Sequence, residues 1–242
     1  MNAPTRIDDS ARSRTWRQIW DRKHGMDVPL HVADGFDLLD TSQYDALVAP
    51  FIDAMGDLSA SDVLEVGCGS GAFLQRLPAV RSLAGVDYAE HAVQRVRRES
   101  AGDFRVAEAA RLPFADAAFD VAFSFGVFFY FDSLAYARAA LSEQLRVLRP
   151  GGRLFVFEVN DAAKKDVYRR TRGDEGRDAH RTSDVATDHM FYDKDFFRAF
   201  AAEHALACRI VDESDMPIAF HSGAAYRFAV SFVPLAAASS SH

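Results

Sequence analysis

Apolar positions recur along the chain in two patterns. Trp16, Ile19 and Trp20 stand three and four apart and predict a short helix over 13–23. Tyr44, Leu47, Val48, Phe51, Ile52 and Met55 repeat that spacing, with Asp40, Thr41 or Ser42 placed to cap the helix. Further helices are expected over 90–99, with Val93 and Val96 inward, and over 134–148, with Leu134, Leu141, Leu145 and Leu148 on one face. A last helix follows Asp193 and carries Phe196, Phe197 and Phe200. Between the helices run short apolar stretches at 63–66, 83–86, 104–107, 119–125, 154–159, 208–211 and 226–233. Buried strands alternating with helices predict an α/β fold: a mostly parallel sheet with helices on both faces.

The pattern divides the chain. Residues 1–41 read as an N-terminal leader and lid segment, irregular over 24–39, and 42–235 as the main domain. Within it, 160–192 is a charged insertion without clear period, placed to act as an acceptor lid. The small, polar residues 236–242 are expected to be a disordered tail. Composition adds limits. With 242 residues, 49% hydrophobic and 26% charged, the chain can bury a sizeable core. A formal net charge of −7 argues against nucleic acid or an anionic membrane as partner. The two cysteines, Cys68 and Cys208, suggest neither a disulfide framework nor a metal site, so a reducing, cytoplasmic compartment is expected. No signal peptide or spanning helix is predicted.

The strand at 63–66 runs directly into Gly67-Cys68-Gly69-Ser70-Gly71-Ala72, with a helix pattern over 71–77. Strand, glycine turn and helix open a nucleotide-binding unit, and the turn formally satisfies G-x-G-x-x-A. Asp87 lies 20 residues after Gly67, where an acid accepts from ribose hydroxyls. NAD and S-adenosylmethionine (SAM) both carry that ribose. Glu65 bears on the choice: a carboxylate at the mouth of the turn repels a pyrophosphate and suits the ammonium of a methionine moiety. Its competing reading is a purely structural pairing with a nearby backbone group or cation. Glu108 follows the third strand at the carboxyl edge, where it can accept from an adenine amino group or simply be a solvated loop acid.

Four stretches resemble, in order, the motifs of class I SAM-dependent methyltransferases of the small-molecule type. They are 63–71, Gly85-Val86-Asp87, Leu112-Pro113-Phe114 with Phe119-Asp120, and Leu148-Arg149-Pro150-Gly151-Gly152. The resemblance covers about 44–159 and implies a seven-stranded sheet whose last strand is antiparallel. It implies SAM as cofactor, with Glu65, Gly67, Cys68 and Gly69 at the methionine end, Asp87 on the ribose and Tyr88 against adenine. Glu108 stands where the family more often has aspartate, with Ala109 after it, and Ser124-Phe125 matches the strand exit beneath the sulfonium. Trp16 and Trp20 are similar to the tryptophan-bearing N-terminal lids of small-molecule methyltransferases, with Trp20 expected at the cofactor; the competing reading is a helix that packs both rings on the domain core.

Transfer from SAM is an in-line displacement that needs alignment, exclusion of water and, for some acceptors, removal of a proton. It requires no metal. The expected acceptor is a small molecule methylated at O or N. Phe128, Phe129 and Tyr130 are placed to line its site with Trp16, although each ring has a core-packing reading as well. Glu158 and Asn160 end the fifth strand at the same edge. His189 is the candidate general base and Tyr192 the candidate to orient a polar group; a surface or capping role competes for His189. The basic run from Lys164 to Arg181 reads as an anion-recognising segment or a solvated lid. The competing functions are an RNA or protein methyltransferase, an NAD-dependent oxidoreductase, and a non-catalytic SAM-binding subunit.

Overall fold

The computed structural model describes residues 11–174 and 189–235. The expectations for the start of the leader, the middle of the insertion and the tail at 236–242 lie outside the described residues. Helix α1 (Ala11–His24) and a single turn, α2 (Leu30–Ala33), precede the long α3 (Thr41–Met55). The α3 cap is a reciprocal box: Asp40 accepts from the Gln43 N–H at 2.8 Å, and Gln43 Oε1 accepts from the Asp40 N–H at 3.0 Å. Then follow β1 (Asp62–Val66), β2 (Ser82–Asp87), α4 (Glu90–Glu99), β3 (Asp103–Val106) and β4 (Phe119–Phe125). Next are α5 (Leu134–Arg146), β5 (Leu148–Asn160), α6 (Lys165–Asp174), α7 (Lys194–Glu203), β6 (Leu206–Asp212) and β7 (Arg227–Pro234).

The seven strands form one sheet in the order β3-β2-β1-β4-β5-β7-β6, with β7 antiparallel to both β5 and β6. Side-chain alternation along each strand splits the core between the two faces. Leu64, Val66, Leu154 and Val156 pack with Ala137, Ala140 and Leu141 of α5 and with Phe197 and Phe200 of α7. Val63, Phe123, Phe155 and Phe157 pack on the other face with Leu47, Phe51 and Met55 of α3 and with Val93 and Val96 of α4. Strand order reverses between β1 and β4. The chain leaves these two strands in opposite directions, which opens a crevice beyond their carboxyl ends.

Two family-like motifs serve the opposite end of the sheet. Asp120 begins β4 and Arg149 begins β5; Arg149 pairs with Asp62 and Asp120 at 2.8 Å each, and Arg81 joins both acids at 2.7 and 2.6 Å. This four-member network ties the amino ends of β1, β2, β4 and β5 together; the arginines hold the Asp62 carboxyl below its usual range, and the Asp62 N–H together with the arginines does the same for Asp120 against the opposing effect of burial.

Two expectations need correction. The 71–77 helix is one 3₁₀ turn, Leu74–Arg76. Pro78 follows, and the residue before a proline is driven out of the helical region; Leu77 sits at ψ 143°. The 134–148 helix ends at Arg146, and its inward face is Ala137, Ala140, Leu141 and Gln144. Leu134 is 49% exposed and Leu148 already belongs to β5. Small alanines bring α5 close to the sheet, which the leucine spacing did not reveal.

Candidate functional site

A cavity of about 990 Å³, counted with its open mouth, lies beyond the carboxyl ends of β1, β2 and β4. Glu65 reaches it from β1, Asp87 and Tyr88 from β2, Glu108 and Ala109 from the segment after β3, and Phe125, Gly126 and Val127 from β4. Trp16, Trp20 and His24, four residues apart on α1, lie along the same helix face and close the remaining side.

The floor is the glycine turn. Gly67 lies at φ +83°, and a Cβ built there would stand 2.3 Å from Val127 Cγ2, so only glycine lets the turn and the β4 exit approach. The amide groups of the turn are all engaged within the chain from Gly67 to Ala72. Gly67 and Cys68 donate to Val86 O at 2.8 and 2.9 Å, and Gly71 donates to Cys68 O at 2.9 Å. Gly69 donates to Asp87 Oδ2 at 3.0 Å; Ser70 and Ala72 donate to the two oxygens of Asp34 at 2.7 and 3.1 Å. Asp87 also accepts from Ala89 N at 2.8 Å in the turn that leads into α4. The Cys68 thiol is buried, and burial together with the nearby carboxylates pushes its pKa well up, which suits packing rather than reactivity.

Carboxyls gather around this turn. Burial, reinforced by Asp34 and Asp87, raises the Glu65 carboxyl well above the ordinary range, and its Oε2 has no hydrogen-bond partner. Burial raises Asp87 as well, against the pull of His24 and of two N–H bonds. Among the described residues, Asp34, Glu65, Asp87, Glu108 and Asp132 line the cavity with carboxyls, and His24 is the sole basic side chain in the lining. Both ring nitrogens of His24 face acceptors: Nδ1 lies 2.8 Å from Trp20 O and Nε2 2.9 Å from Asp34 Oδ1. Full satisfaction therefore needs the imidazolium. Burial opposes that charge, but Asp34 and Asp87 outweigh it and the pKa is raised.

Helix α1 is tied down turn by turn. Arg17 pairs with Glu108 and lies 5.2 Å from the Tyr88 ring centre. Asp21 pairs with His91 at 2.8 Å, Lys23 with Asp37 at 2.6 Å, and His24 with Asp34. Glu108 also accepts from the Tyr136 hydroxyl at 2.7 Å. Trp16 and Trp20 both meet the Tyr130 ring edge to face, at 4.7 and 5.3 Å between centres. Trp16 Nε1 and the Tyr88 hydroxyl are buried without a partner, as is Glu65 Oε2. Orphaned donors and acceptors in the wall of a cavity are the mark of a polar ligand.

The structure does not bring every expected residue here. Phe128, Phe129 and Tyr130 form a 3₁₀ turn, whose successive side chains point about 120° apart, so only Tyr130 lines the cavity. Phe128 enters the core against Phe131, Tyr192 and Phe197, and Phe129 packs on His189 and under Arg227. Phe125 lines the cavity, but Ser124, its strand neighbour, faces the opposite side and bonds Gln144 at 3.3 Å. Glu158 and Asn160 are fully buried on Arg227. Arg227 and His221 hold the Glu158 carboxyl low despite its burial. Tyr192 is fully buried and donates to Phe128 O at 2.7 Å. His189 stacks on Trp16 at 5.5 Å and meets the Tyr168 hydroxyl at 3.1 Å, outside the cavity lining.

Asp34, His24, Phe36, Tyr44 and Tyr136 were not anticipated as lining residues. His24 had a signal, since it continues the Trp16–Trp20 spacing by four. Asp34 had none: it lies in an aperiodic stretch and meets partners 36 and 38 residues away.

Residues 64–156 match the family described as "Methyltransferase domain". The ubiquinone/menaquinone biosynthesis C-methyltransferase UbiE of Desulfotalea psychrophila is 32% identical over 119 residues, 47% of each chain. A probable tRNA methyltransferase 9B of Mus musculus is 35% identical over 95 residues, 39% of this chain and 21% of that one. The chain thus spans about half the length, or less, of these curated relatives. Phosphoethanolamine N-methyltransferase 1 of Haemonchus contortus, solved with phosphoethanolamine and S-adenosylhomocysteine, superposes with a TM-score of 0.67 at 14% identity, over all of this chain and 53% of that one. At that identity the likeness is one of fold. Among the described residues no helix is long and apolar enough to cross a membrane. Sheet order, switch-point cavity and sequence match agree, and residues 64–156 carry a methyltransferase domain of the class I SAM-dependent type.

Proposed function

We propose that the protein transfers a methyl group from SAM to an oxygen or nitrogen atom of a small-molecule acceptor. The observation that carries the donor part of this reading is the set of carboxyls at the turn. Glu65, Asp34 and Asp87 surround it, Glu65 keeps a buried oxygen without a partner, and no turn amide from Gly67 to Ala72 is left to receive a phosphate. Such a site favours a ligand bearing an ammonium over a dinucleotide.

SAM, when bound, supplies an activated methyl group on a positively charged sulfur. The chain's part is to hold and to shield. Glu65 would take the ammonium and Asp87 the ribose hydroxyls. Tyr88, Glu108 and Ala109 would frame the adenine. Trp16, Trp20 and Tyr130 would keep water from the reacting centre and offer ring faces to a cation. His189 and Tyr192, proposed from sequence for work on the acceptor, have other partners in this arrangement. Tyr192 serves the core, and His189 backs Trp16.

The aromatic, carboxyl-lined cavity and the net charge of −7 support a small acceptor. The tRNA methyltransferase relative supports RNA as a second reading. S-adenosylhomocysteine at about 100 times its Kd should add roughly 2.7 kcal/mol of stability and raise Tm by about 5–11 °C, and NADH should not. No shift with S-adenosylhomocysteine, or an equal one with NADH, ends the donor assignment. Labelled SAM offered with a panel of small alcohols, phenols and amines, and separately with tRNA, then identifies the acceptor class. SAM binding with no transfer to either panel would mark a non-catalytic subunit.

A further inference from the structure

Glycine turns of this kind ordinarily bind ligand anions, because their backbone N–H groups converge on one point. Here that point is already taken. The Asp34 carboxylate receives Ser70 N at 2.7 Å and Ala72 N at 3.1 Å, one on each oxygen, and the Ser70 hydroxyl lies 2.8 Å from Oδ1. The approach is close enough that a Cβ on Gly69 would stand 2.4 Å from Asp34 Oδ1. From behind, His24 Nε2 holds the same oxygen at 2.9 Å, so a residue of α1 fixes the acid in place.

We propose that Asp34 is a specificity-determining residue: it occupies the N–H groups a phosphate would use, and so reserves the glycine turn for a cationic donor. The inference rests on the SAM reading for the ligand that is accepted, but not for the ligand that is refused. A dinucleotide arriving at this turn finds the Asp34 carboxylate where its phosphates need donors, with the Gly69 N–H already held by Asp87. A donor with an ammonium group finds three carboxyls and one imidazole. Because His24 belongs to α1, the selective form of the turn exists only while that helix is docked.

The test compares wild type with Asp34→Ala and Asp34→Asn, using S-adenosylhomocysteine and inorganic pyrophosphate as probes. Both Tm and intrinsic fluorescence are followed; the two tryptophans of the chain, Trp16 and Trp20, both line the cavity. Wild type should bind S-adenosylhomocysteine and give no response to pyrophosphate at about 10 mM. Asp34→Ala should lose about tenfold or more in affinity for S-adenosylhomocysteine and gain a saturable response to pyrophosphate. Asp34→Asn, which still fills the space, should lose affinity without that gain. A structural defect does not create an anion site. Weakened S-adenosylhomocysteine binding in Asp34→Ala with no gain for pyrophosphate therefore overturns the proposal, as does a pyrophosphate response in wild type. Should Asp34→Ala not fold, Asp34→Asn decides: unchanged affinity overturns the inference and a tenfold loss at unchanged Tm supports it. Wild type blind to S-adenosylhomocysteine refutes the donor reading alone, and the pyrophosphate arm still judges Asp34.

Discussion

Replacing Gly67 by alanine probes the contact between the glycine turn and the β4 exit, and the structure supplies its own control. At Gly67 the backbone stands at φ +83° and the new methyl would lie 2.3 Å from Val127 Cγ2. At Gly151 the backbone is nearly the same, φ +88°, but nothing lies within 4 Å of a built Cβ. Both variants incur about 1–2 kcal/mol for a side chain in the left-handed region. Both recover about 0.4–1 kcal/mol, because alanine reduces the freedom of the unfolded chain. Only Gly67→Ala adds overpacking, about 1–3 kcal/mol. Gly151→Ala should therefore cost about 0–1.5 kcal/mol and Gly67→Ala about 1–4.5 kcal/mol. At about 2–4 °C per kcal/mol for a chain of this length, the two melting curves should separate by several degrees. Val127 lines the cavity, so its displacement should also weaken S-adenosylhomocysteine binding about tenfold in Gly67→Ala and leave it unchanged in Gly151→Ala. Thermal unfolding and fluorescence titration of the two variants side by side read both effects. Equal Tm values and equal affinities would refute the packing argument.

Three further outcomes are expected. Tyr192→Phe removes a buried hydrogen bond to Phe128 O, which retains the Phe131 N–H at 3.2 Å, so stability should fall by about 1 kcal/mol with turnover intact; a tenfold loss of turnover in folded protein would instead put Tyr192 at the chemistry. Burial and acidic neighbours raise the Glu65 carboxyl well above the ordinary range, so an ammonium, which favours the ionised form, should release protons as it binds. Calorimetry in buffers of different ionisation enthalpy should detect that release in wild type but not in Glu65→Gln, and equal release in both would rule Glu65 out. The folded pKa of His24 is raised, so its pairing with Asp34 contributes fully below about pH 6.5 and is lost as pH climbs through the folded value. The Tm gap between wild type and His24→Gln should therefore shrink from pH 6 to pH 9; a constant gap would mean that the ring is held neutral.

What the sequence disclosed follows from how each feature is encoded. Strand β4 and helix α4 have the expected bounds because their side-chain pattern is set by burial on a regular lattice, and burial is a local, periodic property. Glu65 stood out because a carboxylate inside an apolar strand is costly enough to need a reason. The aromatic run 128–130 was ambiguous for a geometric reason: a strand or an α-helix would have grouped those rings differently from the 3₁₀ turn that forms. Tyr192 shows the same limit, since a tyrosine serving the core and one serving a ligand look alike until the hydroxyl's partner is seen. Asp34 was beyond reach. Its meaning comes from two amides 36 and 38 residues downstream, and no spacing rule connects them.

The ion pairs along α1 also have a direction. At Arg17–Glu108 the side chains are 40% and 39% exposed, whereas at His24–Asp34 they are 3% and 13% exposed. Salt screens the outer pair strongly and the inner one little. Raising ionic strength should thus peel the helix from its Arg17 end while the His24 end stays attached, as a hinge. An opening of that polarity would uncover the Glu108 and Tyr88 end of the cavity first and the glycine turn last. Salt would then loosen a bound ligand from one end, making ionic strength a control on the order in which parts of the site meet solvent.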